Sequence, residues 1–233
     1  IPYVKEELIP YFYQELKKIG FTAAGYNKAV DITACPGTDT CNLGIASSTG
    51  IAEELERIIK TEYPQYLDKD DLVIKISGCM NACGQHNMAN IGFQGMSIRT
   101  KDKLVAPALQ VLLGGGNLGD GKGLFADKVV KIPSRRGPEA LRRILNDFEA
   151  NADGEMFVDY YKDKGQMYFY DLLTDLSDID NLTPQDFIDW GNEEKYVQAI
   201  GVGECAGVVI DLVATLFLES EEKIANARLS FDN

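Results

Sequence analysis

The chain has 233 residues, 45% of them hydrophobic, enough to bury a sizeable core as one domain with an appendage. No apolar run reaches the ~18–20 residues that a membrane helix needs. The net charge of −13 comes from the last third, because residues 1–150 carry 18 acidic and 18 basic side chains and residues 151–233 carry 18 and 5. So acidic a surface is wrong for nucleic acid, and for drawing in an anionic substrate or an acidic electron donor; it reads as a solvated, solubilising face.

Residues 4–18 are predicted to be an amphipathic helix with Val4, Leu8, Tyr11, Phe12 and Leu16 on one stripe, kinked or split at Pro10. A short strand over 31–34 and another over 72–78, with Leu72, Ile74 and Ile76 alternating, each run into a cysteine. Between them, Ser47-Ser-Thr-Gly supplies cap residues for a helix from about 50 to 60, whose buried face is Ile51, Leu55, Ile58 and Ile59; the polar stretch 63–71 is a loop. Three strands follow, at about 91–99, 104–113 and 128–132, with glycine turns. Between the last two, Gly114-Gly-Gly-Asn-Leu-Gly119 spells G-x-G-x-x-G, and Gly116-Asn-Leu-Gly-Asp-Gly-Lys122 spells most of a phosphate-binding loop. Both motifs require a helix next, and a strand follows instead, so a loop or a turn at the edge of a cofactor is expected rather than a nucleotide site.

Gly137-Pro-Glu139 starts a helix with Ala140, Leu141, Ile144, Leu145 and Phe148 as its stripe. Asn151-Ala-Asp-Gly154 is a turn, and 155–173 hold two short helical pieces whose Tyr and Phe residues belong to a core. The Asp-rich stretch 174–181 reads as a linker, and Thr183-Pro-Gln-Asp186 as a capped helix start. A strongly helical run from about 207 to 229 crowds Val208, Val209, Leu212, Val213, Leu216 and Phe217 together. It calls for a partner helix, through dimerisation or because the chain is truncated, and Cys205 beside it reads as a buried thiol.

The strongest signal is two cysteine pairs. Cys35-Pro-Gly-Thr-Asp-Thr-Cys41 is a C-x5-C and Cys79-Met-Asn-Ala-Cys83 a C-x3-C, so four of the five cysteines lie in two strand-end loops that would converge on one point. Four soft thiolates suit an iron–sulfur cluster or zinc. C-x3-C lies within the range of zinc knuckles and C-x5-C is longer than a knuckle needs, whereas a cubane accepts wider, unequal spacing. Disulfides or free core thiols are the remaining readings; disulfides require an oxidising compartment, and nothing here resembles a signal peptide, so a reducing cytoplasm is expected. His86, the single histidine, reads as a loop residue satisfied by hydrogen bonds rather than as a ligand.

The segments 33–44 and 77–84, with Pro36, Asn81 and Gly84 in place, and the later Ile91-Gly-Phe-Gln-Gly95 and Leu112-Leu-Gly-Gly-Gly-Asn117, resemble the siroheme and 4Fe-4S signature of assimilatory sulfite and nitrite reductases. The resemblance covers roughly residues 1–173. It implies that Cys35, Cys41, Cys79 and Cys83 ligate one 4Fe-4S cluster and that Cys83 also bridges it to the siroheme iron. Asn81 and Asn117 would be siroheme contacts, and some of Arg99, Lys101, Lys103, Lys122, Lys128, Lys131, Arg135 and Arg136 would pair with the siroheme rim, the rest being surface cations. The function so implied is six-electron reduction of sulfite or nitrite, a small anion, with electrons from a ferredoxin or a flavoprotein.

In such reductases the substrate-binding cations come mainly from the first half of the chain, and this sequence begins at Ile1. The expectation is therefore a C-terminal portion, inactive alone, whose missing N-terminal half is a partner; no catalytic residue is assigned here. The expected fold is an α/β (α+β) nitrite/sulfite reductase half-domain with a mixed sheet flanked by helices, over residues 28–173. Residues 1–27 would be the remnant of a ferredoxin-like lobe, and 174–233 an all-helical acidic appendage. Two other functions fit the four cysteines: a zinc-stabilised structural module and an iron–sulfur electron carrier without siroheme.

Overall fold

The computed structural model describes residues 3–198 except 23, 24, 27, 70 and 71. The expected helix 207–229 and Cys205 lie outside the described residues.

A 3₁₀ turn, Glu6–Leu8, leads into helix α1 (Ile9–Lys18). Pro10 sits in the first turn of α1, where its missing N–H is harmless; the split expected at Pro10 falls just before it. No residue of α1 is buried, and Leu8, Ile9, Tyr11 and Tyr13 are exposed.

Strand β1 is short (Thr33–Ala34) and is followed by α2 (Ser48–Glu62) and β2 (Ile74–Ser77). Ser47 caps α2 by accepting from the Gly50 N–H at 3.2 Å. Ile51, Leu55, Ile58 and Ile59 are fully buried, as their 3.6-residue spacing predicts. Strand β3 (Ile91–Arg99) and β4 (Val105–Leu113) form the long hairpin at the middle of the sheet. A two-stranded hairpin, β5 (Gly116–Gly119) and β6 (Lys122–Leu124), precedes β7 (Asp127–Pro133). The glycine-rich motif that spells a phosphate loop is this hairpin, with Gly119 and Gly121 at positive φ and no helix behind it.

The five-stranded sheet has the order β1-β2-β3-β4-β7. β1, β2 and β3 run parallel, while β4 and β7 pair antiparallel, so the sheet is mixed as expected. Ile74, Ile76, Ile91, Phe93, Leu109, Val111, Leu113, Val130 and Ile132 share one core cluster with the buried faces of α2 and α3 (Gly137–Asn151). Arg142 of α3 donates to both carboxylate oxygens of Glu62 at the end of α2, joining the two helices. Helices α4 (Phe157–Lys164) and α5 (Gln166–Leu173) bring Phe157, Tyr160, Tyr161 and Phe169 onto Phe148, with ring centroids 5.2–6.4 Å apart. These aromatics are core, as expected.

The stretch 174–181 is not the expected linker. Thr174–Ser177 is a 3₁₀ turn with Leu176 buried, and Arg136 donates to the carbonyls of Leu176 and Asp178. Arg143 pairs with Asp175, so these carboxylates have partners that composition did not show. The predicted cap at Thr183 is present, with Asp186 completing a capping box, but it starts a single 3₁₀ turn, Pro184–Phe187. Among the described residues, then, the segment after 173 holds 3₁₀ turns and extended chain rather than α-helix.

Candidate metal centre

The cysteine loops leave the carboxyl ends of β1 and β2, which are adjacent and parallel, the position where open α/β sheets gather ligands. Cys35 continues the ladder by donating its N–H to the Ile76 carbonyl at 3.2 Å. The Gly78 N–H, just before Cys79, donates to the Cys35 sulfur at 3.1 Å. The first loop folds back over the second, with the N–H groups of Ile45 and Ala46 both donating to the Gly78 carbonyl at 2.8 and 3.0 Å. Ser48, in the first turn of α2, donates from Oγ to the Cys35 carbonyl at 2.6 Å and stands 3.5 Å from its sulfur. The positive end of α2 thus faces the thiols.

Glycine makes this contact possible. A Cβ on Gly44 would lie 2.7 Å from the Gly37 backbone, and one on Gly78 2.7 Å from Gly37 Cα and the Ala46 oxygen; on Gly95 it would collide with the Gly78 carbonyl. The two cysteine loops and β3 therefore pack backbone against backbone. Gly37, Gly78, Gly95 and Ser48 were not singled out from the sequence, although Gly37, Gly78 and Gly95 lie within the motifs quoted above.

The four cysteines are free thiols that differ in exposure: Cys79 is buried, Cys35 and Cys41 half-buried, Cys83 exposed. Burial pushes the Cys79 thiol up. The Asn81 N–H bonded to its sulfur acts the other way, and the charges of Cys35, Cys41 and Cys83 raise it further. Cys79 is therefore within electrostatic reach of each of the other three. Four thiolates so placed repel, and a bound cation removes that cost. Among the described residues, no group of three or more His, Cys, Asp or Glu is drawn tightly enough to hold a single metal ion.

Asn81 is exposed beside Cys83, as a residue facing a cofactor would be. Asn117 is not brought to the cysteines. Its hairpin leaves the far end of β4, where Gly114 N–H donates to the Asn90 carbonyl, while Gly78 sits against Gly95; the stretch between 90 and 95 amounts to about 16 Å of strand. Asn117 Oδ1 instead accepts from the Gly119 N–H at 2.9 Å and closes its own turn. The cations assigned to a siroheme rim are partly engaged elsewhere: Lys101 with Asp180, Arg135 and Arg136 with the segment after 173. His86 is buried and hydrogen-bonded to Gln94, but its Nδ1 has no partner among the described residues. Burial, helped by Lys128, pushes its imidazole down and favours the neutral ring.

A mixed sheet with four free thiols on the loops at the adjoining ends of its parallel strands defines an α/β protein with a candidate soft-metal site. Residues 25–170 match the nitrite and sulphite reductase 4Fe-4S domain, and the chain belongs to that family. Membership implies a 4Fe-4S cluster and siroheme. The chain is 29% identical over 133 residues to the assimilatory ferredoxin-dependent nitrite reductase of Haloferax mediterranei, covering 57% of this chain and 22% of that protein. It is 31% identical over 134 residues to a protein of Mycolicibacterium paratuberculosis named sulfite reductase (ferredoxin) 1, covering 54% and 23%. The solved structure of the Mycobacterium tuberculosis NirA protein superposes with a TM-score of 0.55 at 23% identity, over 71% of this chain and 31% of that one, which shows the shared fold. The matched stretches thus span less than a quarter of the two relatives' length. Among the described residues, no helix is long and apolar enough to cross a membrane.

Proposed function

We propose that this chain is the cluster-bearing part of a sulfite or nitrite reductase, with Cys35, Cys41, Cys79 and Cys83 as the ligands of a 4Fe-4S cluster and Cys83 as the thiolate shared with a siroheme iron. The observation that carries the reading is the graded exposure of the four thiols on two adjoining loops, one buried, two half-buried and one exposed. The cluster and siroheme supply one-electron transfer to a small anion.

What the chain itself does is hold and orient. Gly78 N–H and Asn81 N–H donate to the sulfurs of Cys35 and Cys79, stabilising negative charge on them. The loops bury the Cys79 sulfur and half-bury those of Cys35 and Cys41, and Asn81 flanks the exposed Cys83. Sulfite or nitrite as substrate, and ferredoxin as donor, are the finer part of the reading and rest on the relatives' names; thiolate ligation requires a reducing compartment, and the cytoplasm is the one proposed. Residues 28–173 form the cofactor-binding domain in this reading. The groups that grip the substrate are assigned to other parts of a longer reductase, and the isolated chain is proposed to be inactive.

Anaerobic reconstitution with iron and sulfide, followed by metal analysis, tests the ligand set. About four irons and four sulfides per chain are expected, falling steeply in Cys35→Ser and Cys83→Ser. One zinc with no sulfide, or a full cluster retained in either variant, overturns the assignment.

A further inference from the structure

Residues 184–198 lie beyond the family-matched region, yet they return to the cysteine loops. The Asp189 carboxylate is only 3% exposed and accepts from the N–H of Ser47 at 2.7 Å, from Ser134 Oγ at 3.2 Å and from the Trp190 N–H at 2.9 Å. Ser47 is the cap of α2, at the end of the loop that carries Cys41. Seven residues on, the Tyr196 hydroxyl donates to the Ile45 carbonyl at 2.6 Å. Burial and the charge of Asp189 push that phenol up to about 12, so it remains a donor across the working pH range.

The return is anchored from beneath as well. Trp190 Nε1 donates to the Ser134 carbonyl, and Arg135 donates to the carbonyls of Ile188 and Asp189 while stacking 4.4 Å from the Trp190 ring. Ser97 Oγ, on β3, donates to Gln198. A cleft of about 380 Å3 remains between this segment and the Cys35–Cys41 turn, lined by Thr38, Asp39, Glu194 and Lys195 among others.

The contacts fall on one stretch. Asp189 and Tyr196 hold Ser47 and Ile45, and Ile45 and Ala46 hold Gly78, whose own N–H donates to the Cys35 sulfur. We propose that residues 184–198 are a strap that clamps the Cys41–Ser48 loop down on Gly78, making Asp189 and Tyr196 positioning residues for the four-thiol site. The strap thereby sets how readily the inner thiols open to solvent and how firmly the N–H to sulfur bond is held. The second half of this statement rests on the cluster reading, and the first half does not.

Two variants probe the clamp without touching a cysteine. Tyr196→Phe removes one hydrogen bond and keeps the ring. Gly50→Ala acts from the other side: its Cβ would meet the Trp190 carbonyl at 2.7 Å and lift the strap, while alanine improves the helix. In the full chain without metal, alkylation of Cys35 and Cys41 is expected to speed up on the order of five-fold in each variant, the opening that one lost hydrogen bond allows. Cys83, already exposed, stays at the wild-type rate, and a control variant at the exposed Phe125, outside the strap, leaves all the rates unchanged. In the iron-loaded chain, Tyr196→Phe should lower the midpoint potential, because an N–H bonded to sulfur favours the more negative, reduced state.

Unchanged alkylation of Cys35 and Cys41, or equal acceleration at Cys83, overturns the strap. An unchanged potential alongside faster alkylation overturns its role in tuning the cluster. If the wild-type chain takes up no iron and sulfide, the cluster reading fails, and the alkylation rates still decide the strap.

Discussion

A methyl group on Gly95 would collide with the Gly78 carbonyl, the same oxygen that accepts from Ile45 and Ala46. The obstruction is backbone, which cannot swing aside as a side chain would. Gly95→Ala is expected to cost about 1–3 kcal/mol in urea unfolding and to lower cluster content on reconstitution. A second residue-scale effect belongs to His86, whose folded pKa lies below its ordinary value. Above about pH 6.5 the ring is neutral whether the chain is folded or unfolded. As pH falls through 6.5 the unfolded chain takes up a proton that the buried ring refuses, so stability falls until the folded pKa is passed. Asp189, whose carboxyl is raised by burial, slopes the other way at lower pH. Urea midpoints between about pH 5 and 7 should therefore decline more steeply toward acid in the wild type than in His86→Gln; parallel slopes would remove His86 as the cause. At this scale the four cysteines were legible because ligand spacing is local. Asp189 was not: 142 positions separate it from Ser47, and no pattern in either neighbourhood announces the contact.

Elements were legible where a period of two or 3.6 ran long enough to be counted. β3, the stripes of α2 and α3, and the short aromatic helices all lie where the pattern places them. β5 and β6 were missed because a four-residue and a three-residue strand, each with a single leucine among glycine, asparagine and lysine, are too short to show alternation. The segment after Leu173 was misread for a related reason. Asp-rich composition suggests solvent, and only the fold shows Arg136 and Arg143 beneath it. The aromatic group of α4 and α5 sits at the hairpin end of the sheet, where a Cβ on Gly114 would collide with Tyr161. Phe157→Ala should therefore cost about 3–5 kcal/mol of stability without changing the alkylation rates of the folded protein's cysteines. Altered cysteine reactivity in that variant would mean that the two ends of the sheet are coupled, contrary to their separation along β3.

At the scale of the molecule, the core and the cysteine site are built from different residues. The apolar cluster joins the sheet to α2, α3, α4 and α5, and includes none of the four cysteines. The thiols sit at the rim, on loops fixed by backbone hydrogen bonds and by residues 184–198. The fold should therefore stand without metal, in contrast to small zinc domains that collapse when it is removed. Binding to the folded state alone still adds stability, about 2.7 kcal/mol when free ligand exceeds its dissociation constant a hundredfold. For a chain of this size each kcal/mol shifts the melting midpoint by roughly 2–4 °C. Oxidative removal of a reconstituted cluster is expected to lower that midpoint by about 5–10 °C while leaving the far-ultraviolet circular dichroism in place. The loss should be confined to the loops, so amide exchange should quicken at 41–48 and 78–84 and stay slow in β3 and β4. If the spectrum collapses with the metal, the four thiols hold up the core as well as their own loops, and the division between rim and core is wrong.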